Sequence, residues 1–265
     1  MSYVRWSGAG WRGWRAGDEP VDVETCLAAD ACGDGRRSRH ARSQEVQTAT
    51  GKVFVKSYPS PGASRARRAF AMGRALAAAG FAAPRALLLG SRSGAGLLVT
   101  VDAGGDDLLA TLAGLAGGGP ARRRAKRALL DALGSEVARL HRAGFVHGDL
   151  VPPNLRWRDG ELVFLDNDRT RRVRLPLLAQ GARRNLVQLG RFVIPGVSVT
   201  DRTRVLRAYA TTRGFGRRRR HRLGLWVMRK IVARRCAIDH ISPEVAARAG
   251  FRTLMRSGGP FDPGT

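Results

Sequence analysis

Along the first hundred residues, apolar positions come in short compact runs. Val53-Phe54-Val55-Lys56 follows a Thr-Gly-Lys turn and has the β-branched and aromatic content of a strand. Ala86-Leu87-Leu88-Leu89 and Leu97-Leu98-Val99-Thr100-Val101 flank Gly90-Ser91-Arg92-Ser93-Gly94, which predicts a hairpin. Between these runs, Ser64 to Ala79 reads as a helix, closed by Gly80 and followed by Pro84. Residues 1–20 are rich in Trp, Gly and Arg and show neither period, so a flexible, exposed N-terminal segment is expected. Beyond the glycine connector Asp102-Ala103-Gly104-Gly105 the pattern turns helical. Pro120 opens a segment whose Leu129, Leu130, Leu133, Val137 and Leu140 share one helical face. Gly144 stands in the left-handed position that ends such a helix. Two short β-like pieces end at Val146 and Leu165, and helical segments fill most of 180–250. The expected architecture is α+β with two lobes around a cleft. A strand-rich lobe with one main helix spans residues 21–101, a hinge spans 102–106, and a mostly helical lobe spans 107–265.

Composition changes this picture little. With 43% apolar residues the chain can build a sizeable core, so general disorder is excluded. No apolar run approaches the roughly 18 residues that cross a bilayer, and Met1 to Gly17 has no signal-type apolar stretch. A soluble cytoplasmic protein is expected. Three irregularly spaced cysteines, Cys26, Cys32 and Cys236, argue against both a zinc site and a disulfide framework.

Charge adds more. The chain carries 47 basic and 21 acidic residues, a net charge of +26. Such a surface attracts polyanions, anionic lipid or phosphorylated ligands. Lysine occurs only at 52, 56, 126 and 230, so the excess is almost wholly arginine and is consistent with a coding bias over a solvated surface. Arg217 to Arg220, His221, Arg222, Arg229, Lys230, Arg234 and Arg235 interleave with Leu223, Leu225, Trp226, Val227, Met228, Ile231 and Val232. Two readings stand: a basic amphipathic helix resting peripherally on an anionic membrane, or an ordinary helix packed on its lobe. Specific nucleic-acid binding is not expected, because no stacking motif or known module accompanies the charge.

The chemistry sits in three pieces in chain order. Lys56 ends a β-type run; His147-Gly148-Asp149-Leu150-Val151-Pro152-Pro153-Asn154 follows the amphipathic helix; Leu162-Val163-Phe164-Leu165-Asp166-Asn167-Asp168 closes on an apolar strand. Phosphoryl transfer needs phosphates positioned and developing charge neutralised. A strand lysine can hold phosphates, a carboxylate after a strand can hold Mg²⁺, a loop carboxylate can accept the attacking hydroxyl's proton, and an asparagine five residues on can reach the metal. Any one of these residues alone is as well explained by a solvated lysine, a turn aspartate or a core histidine. Their order and context point to phosphoryl transfer.

These residues resemble the catalytic signature of the protein-kinase-like superfamily, and His-Gly-Asp resembles its small-molecule and lipopolysaccharide kinase branches. Leu165-Asp166-Asn167-Asp168-Arg169, the helix Arg184-Asn185-Leu186-Val187-Gln188-Leu189-Gly190-Arg191, and the stretch Asp201-Arg202 through Tyr209 are similar to the lipopolysaccharide core kinase group. That group includes 3-deoxy-manno-octulosonic acid kinase and heptose kinases. The similarity covers roughly residues 33–212. It implies a bilobal protein-kinase-like fold with a small antiparallel-sheet N-lobe, and an ATP- and Mg²⁺-dependent kinase acting on a sugar or glycolipid hydroxyl. It implies further that Lys56 contacts the ATP phosphates, Asp149 is the catalytic base, and Asn154 and Asp166 bind the metal. Gly33, Gly35 and Ser38 fall where a phosphate-covering loop would lie. Asp168 is either a polar contact or a turn residue.

One departure bears on activity. Kinases brace the strand lysine with a glutamate on the next helix, at a position that falls near Ala69; residues 57–101 contain no acid at all. Lys56 is then left to Asp166, to an N-terminal acid such as Glu45, or to nucleotide alone. A degenerate kinase-like binding or scaffold protein, or another kinase of the superfamily, is the alternative reading.

Overall fold

The computed structural model describes residues 2–32, 35–38 and 41–255. Its elements in chain order are β1 (Tyr3–Gly8), β2 (Trp11–Ala16), α1 (Val23–Cys32), β3 (Arg36–Arg37), β4 (Arg42–Thr48), β5 (Gly51–Tyr58), α2 (Ala63–Ala78), β6 (Ala86–Arg92) and β7 (Ala95–Val101). They continue with β8 (Asp106–Asp107), α3 (Leu108–Gly114), α4 (Pro120–Arg142), β9 (Phe145–Val146), β10 (Leu155–Arg158), β11 (Glu161–Phe164) and β12 (Arg171–Arg172). Helices α5 (Leu177–Gly190), α6 (Val199–Thr212), α7 (Arg217–Asp239) and α8 (Pro243–Leu254) complete the chain. Two compact units divide it: residues 1–104 with 163–170, and residues 105–162 with 171–265.

The first unit is a seven-stranded antiparallel sheet in the order β1-β2-β6-β7-β5-β4-β3. Side chains alternate faces along each strand, which here produces two separate cores. Val53, Val55, Leu88, Leu97 and Val99 pack with Trp11 and with Cys26 of α1. Tyr58, Leu89 and Leu98 pack on the other face with Ala66, Ala69 and Phe70 of α2. The start of the chain departs from expectation. Residues 3–16 form the hairpin β1-β2, which extends the sheet beyond β6. Its signal was hidden because arginines alternate with tryptophans, and only Trp11 and Ala16 are buried.

In the second unit α4 takes the expected face: Leu129, Leu130, Leu133, Val137 and Leu140 are all buried. It packs closely against α6. Helix α7 buries Val227 and Ile231 and packs against α5, α6 and α8, while Arg217, Arg218 and Arg219 stay exposed. Among the described residues no helix is long and apolar enough to cross a membrane. The three cysteines are free, and burial raises the Cys26 thiol to about 11.

Candidate active site

The sequence-derived candidates divide between the two units. In the first, directly paired residues share a face of a sheet. Arg36 of β3, Ser43 of β4, Lys56 of β5 and Leu98 of β7 therefore form one row on the face that carries α2. Lys56 Nζ lies 2.5 Å from Asp166 Oδ1 and 3.7 Å from Asp168 Oδ2. The Tyr58 ring, two residues on and on the same face, has its centroid 5.4 Å from the amine. Glu45, the other acid considered for Lys56, pairs instead with Lys52 at 2.8 Å.

Asp166 follows the buried strand end Val163-Phe164 and has left-handed backbone angles, φ 52° and ψ 59°. Aspartate tolerates this conformation because its short polar side chain can bond locally. The turn after it is fixed from within. Asn167 Nδ2 donates to the Phe164 carbonyl at 2.8 Å, and Thr170 Oγ1 donates to Asn167 Oδ1 at 3.2 Å. Burial raises the Asp168 carboxyl above the ordinary carboxylate range, against the pull of Lys56. Burial, reinforced by the two aspartates, also raises the Tyr58 hydroxyl.

Gly35 and Ser38 lie on the hairpin β3-β4 at the sheet edge, and Gly33 lies outside the described residues. Gly35 has φ 116°, and a Cβ there would stand 2.7 Å from the Ser43 carbonyl oxygen. Ser38 closes the hairpin: its N–H and its hydroxyl both donate to the Ala41 carbonyl, at 2.8 and 2.9 Å. These two residues thus have turn-forming work of their own.

In the second unit the loop 147–154 is held by α5. Asn185 Oδ1 accepts the His147 N–H at 3.1 Å, and Asn185 Nδ2 donates to the His147 carbonyl at 2.7 Å. Gln188, one turn on, donates to Asp149 Oδ1 at 3.2 Å and accepts the Leu150 N–H at 3.3 Å. His147 is buried and its Nδ1 accepts the Asp149 N–H at 3.1 Å. Asn154 Nδ2 donates to the Asp149 carbonyl at 2.9 Å, so Asp149 and Asn154 are brought together. That bond does not use the Asn154 side-chain oxygen. Asn185 and Gln188 are the functional residues that the residue pattern alone did not expose. Polar side chains on an amphipathic helix read as its solvent side, yet both are buried here.

The same unit holds a cavity of about 880 Å³ between α3, α4, α5, α6 and α7. Leu112, Leu133, Leu189 and Ile231 are among its apolar lining, and Pro152 brings the loop 147–154 to its wall.

The oxygen donors suit a hard divalent cation. Asp166 is 41% exposed at its side chain, and an ammonium already sits beside the Asp166 and Asp168 carboxylates. Lys56 and Asp166 in one unit, and Asp149 and Asn154 in the other, are the residue types that phosphoryl transfer from ATP employs.

Comparison with known proteins agrees. Residues 33–209 match the model of the lipopolysaccharide kinase (Kdo/WaaP) family. The solved structure of WaaP in complex with acyl carrier protein is similar at a TM-score of 0.59 and 25% identity, over 78% of this chain and 90% of that one. No curated protein matches the sequence. The mixed fold, with an antiparallel sheet first and helices after, is that of a kinase-like protein. The chain therefore belongs to the lipopolysaccharide kinase (Kdo/WaaP) family, and it is an ATP-using phosphotransferase of the lipopolysaccharide-core-kinase type.

Proposed function

We propose that the chain transfers the γ-phosphoryl group of ATP, as its Mg²⁺ complex, to a hydroxyl of a sugar or glycolipid. Lys56 binds the phosphates. Asp166 and Asn154 hold the metal, which neutralises charge that builds on the phosphate oxygens. Asp149 accepts or orients the proton of the attacking hydroxyl. The observation that supports this reading most directly is the 2.5 Å ion pair between Lys56 and Asp166, residues 110 positions apart in sequence. The hydrogen bonds from Asn185 and Gln188 add to it by holding the Asp149 loop rigid before substrate arrives. The scaffold alternative rests on the missing helix glutamate; the two carboxylates beside Lys56 speak for the kinase reading. The test is phosphate transfer from labelled ATP to lipopolysaccharide-core acceptors. Asp149→Asn is expected to cut turnover by about a hundredfold or more while leaving ATP affinity near wild type. Asp166→Asn is expected to remove the Mg²⁺ dependence. Unchanged turnover in Asp149→Asn would overturn the assignment.

A second reading concerns a partner. The similar WaaP structure holds acyl carrier protein, and this chain's apolar cavity is of a kind that accepts an acyl chain. We infer that an acylated carrier protein docks its chain there. The expected result is a rise in melting temperature with carrier protein bearing a long acyl chain and none with the unacylated form. An equal response to both would refute it.

A further inference from the structure

The kinase reading leaves one question about Lys56. Its helix partner is missing: residues 57–101 hold no acid. Asp166 is 2.5 Å away, but under the reading above Asp166 belongs to the metal. A carboxylate that takes a divalent cation must loosen or share an ammonium held that close, because the two cations repel. Lys56 then needs a second anion to keep its amine aimed.

Asp168 has the properties of that anion. Its Oδ2 is 3.7 Å from Lys56 Nζ, and its side chain is 8% exposed against 41% for Asp166. Lys56 is its one ion-pair partner among the described residues. A buried carboxylate is costly unless it is paired, so its placement beside a lysine asks for a reason that a turn residue does not supply. The turn that carries it is fixed by the Asn167 and Thr170 side chains, and α2 packs directly on that turn. Arg65, in the first turn of α2, lies near enough for its charge to act on Asp168.

We propose that Asp168 is the positioning residue for Lys56, doing from the turn after β11 what a helix glutamate does in other kinases. The two aspartates of Asp166-Asn167-Asp168 thereby divide their work: the exposed one is given to the metal, the buried one to the lysine. The inference rests on Lys56 being the phosphate-binding lysine, and its test separates the two.

The experiment is titration of the full chain with ATP, with and without Mg²⁺, in wild type, Lys56→Met, Asp168→Asn, Asp166→Asn and the double variant Lys56→Met/Asp168→Asn. Asp168→Asn is expected to weaken ATP about tenfold in both conditions. Asp166→Asn is expected to lose the Mg²⁺ effect and keep the metal-free affinity. In the Lys56→Met background, Asp168→Asn is expected to add nothing, since Asp168 acts only through the lysine. A merely structural role would weaken ATP in that background too, and that result overturns the proposal. If Lys56→Met binds ATP like wild type, the phosphate role of Lys56 falls and the proposal falls with it. If Asp168→Asn does not fold, Asp168→Glu takes its place. It keeps the charge, so ATP affinity within about threefold of wild type is expected. A loss as large as that of Lys56→Met refutes the proposal.

Discussion

His141 shows how a single buried side chain sets both tautomer and pH response. Asn185 Nδ2 already donates to the His147 carbonyl and to Gln188 Oε1, which fixes Asn185 Oδ1 as an acceptor. His141 Nε2, 3.1 Å from that oxygen, must then carry the proton, and Nδ1 accepts from the Tyr209 hydroxyl at 3.0 Å. The ring is neutral, and burial pushes its pKa down from 6.5 to about 4. Sign follows from linkage. Between pH 4 and 6.5 the unfolded chain binds a proton at this histidine that the folded chain refuses, so stability falls as pH drops through that window. The loss attributable to His141 is about 3 kcal/mol once pH is below 4. Urea melts from pH 7.5 to 4 are expected to show this fall in wild type, and a total fall smaller by that amount in His141→Gln. Parallel slopes in the two proteins would sink the assignment. At this scale the sequence was only partly legible. Lys56, Asp149, Asn154 and Asp166 stood out because their order is chemical. Asn185 and Gln188 entered only through the resemblance of their helix, with no role, and His141 not at all, because nothing local distinguishes a buried polar side chain from a solvated one. Only the fold brings residue 185 to residue 147.

Elements were read best where one period ran long and worst where pairing was remote. The face of α4 was plain from spacing alone, since five apolar residues at helical intervals have few other homes. Its partner was not. Gly134 faces α6 so closely that a Cβ would stand 2.2 Å from the Val205 carbonyl oxygen. A glycine that reads as a weak point in a helix is here the condition for the contact. Around that contact the polar residues tie three helices. Lys126 of α4 pairs with Asp201 of α6 at 2.7 Å, and Ser198 and Asp201 form a capping box. Arg202 donates at 2.6 Å to the carbonyls of Gly190 and Phe192, where α5 ends. Burial lowers Arg202 to about 10, so it remains charged at neutral pH. Helix α5 carries Asn185 and Gln188, so the cap on its end serves the loop it holds. The hairpin β1-β2 was missed for the opposite reason: exposed arginines stand on both faces of its strands, and β2 pairs with β6, some 75 residues later in sequence.

For the whole molecule the outstanding fact is the charge of +26, and the four lysines help to interpret it. Three of them, Lys52, Lys56 and Lys126, sit in ion pairs with Glu45, Asp166 and Asp201 at 2.8 Å or less. Arginine carries nearly all the rest. On α7 the arginines 217–219 are exposed while Val227 and Ile231 hold the helix to its neighbours. A surface charge spread this way acts as a field and has no fixed geometry to recognise a base or a headgroup. Arginine keeps its charge to well above neutral pH, so salt, and not pH, is the variable that weakens the field. Random-sequence duplex DNA is therefore expected to bind at 50 mM salt and to lose about a thousandfold or more in affinity by 200 mM, as counterion release dictates for a protein that neutralises several phosphates. Stabilisation by ATP with Mg²⁺ is expected to persist across the same range, because it draws on the partly buried Lys56, which salt screens less. The two are separable in one series of fluorescence titrations and thermal melts. Nucleic-acid affinity that holds at 200 mM, or an ATP response that vanishes there, would show that the charge is organised into a specific surface.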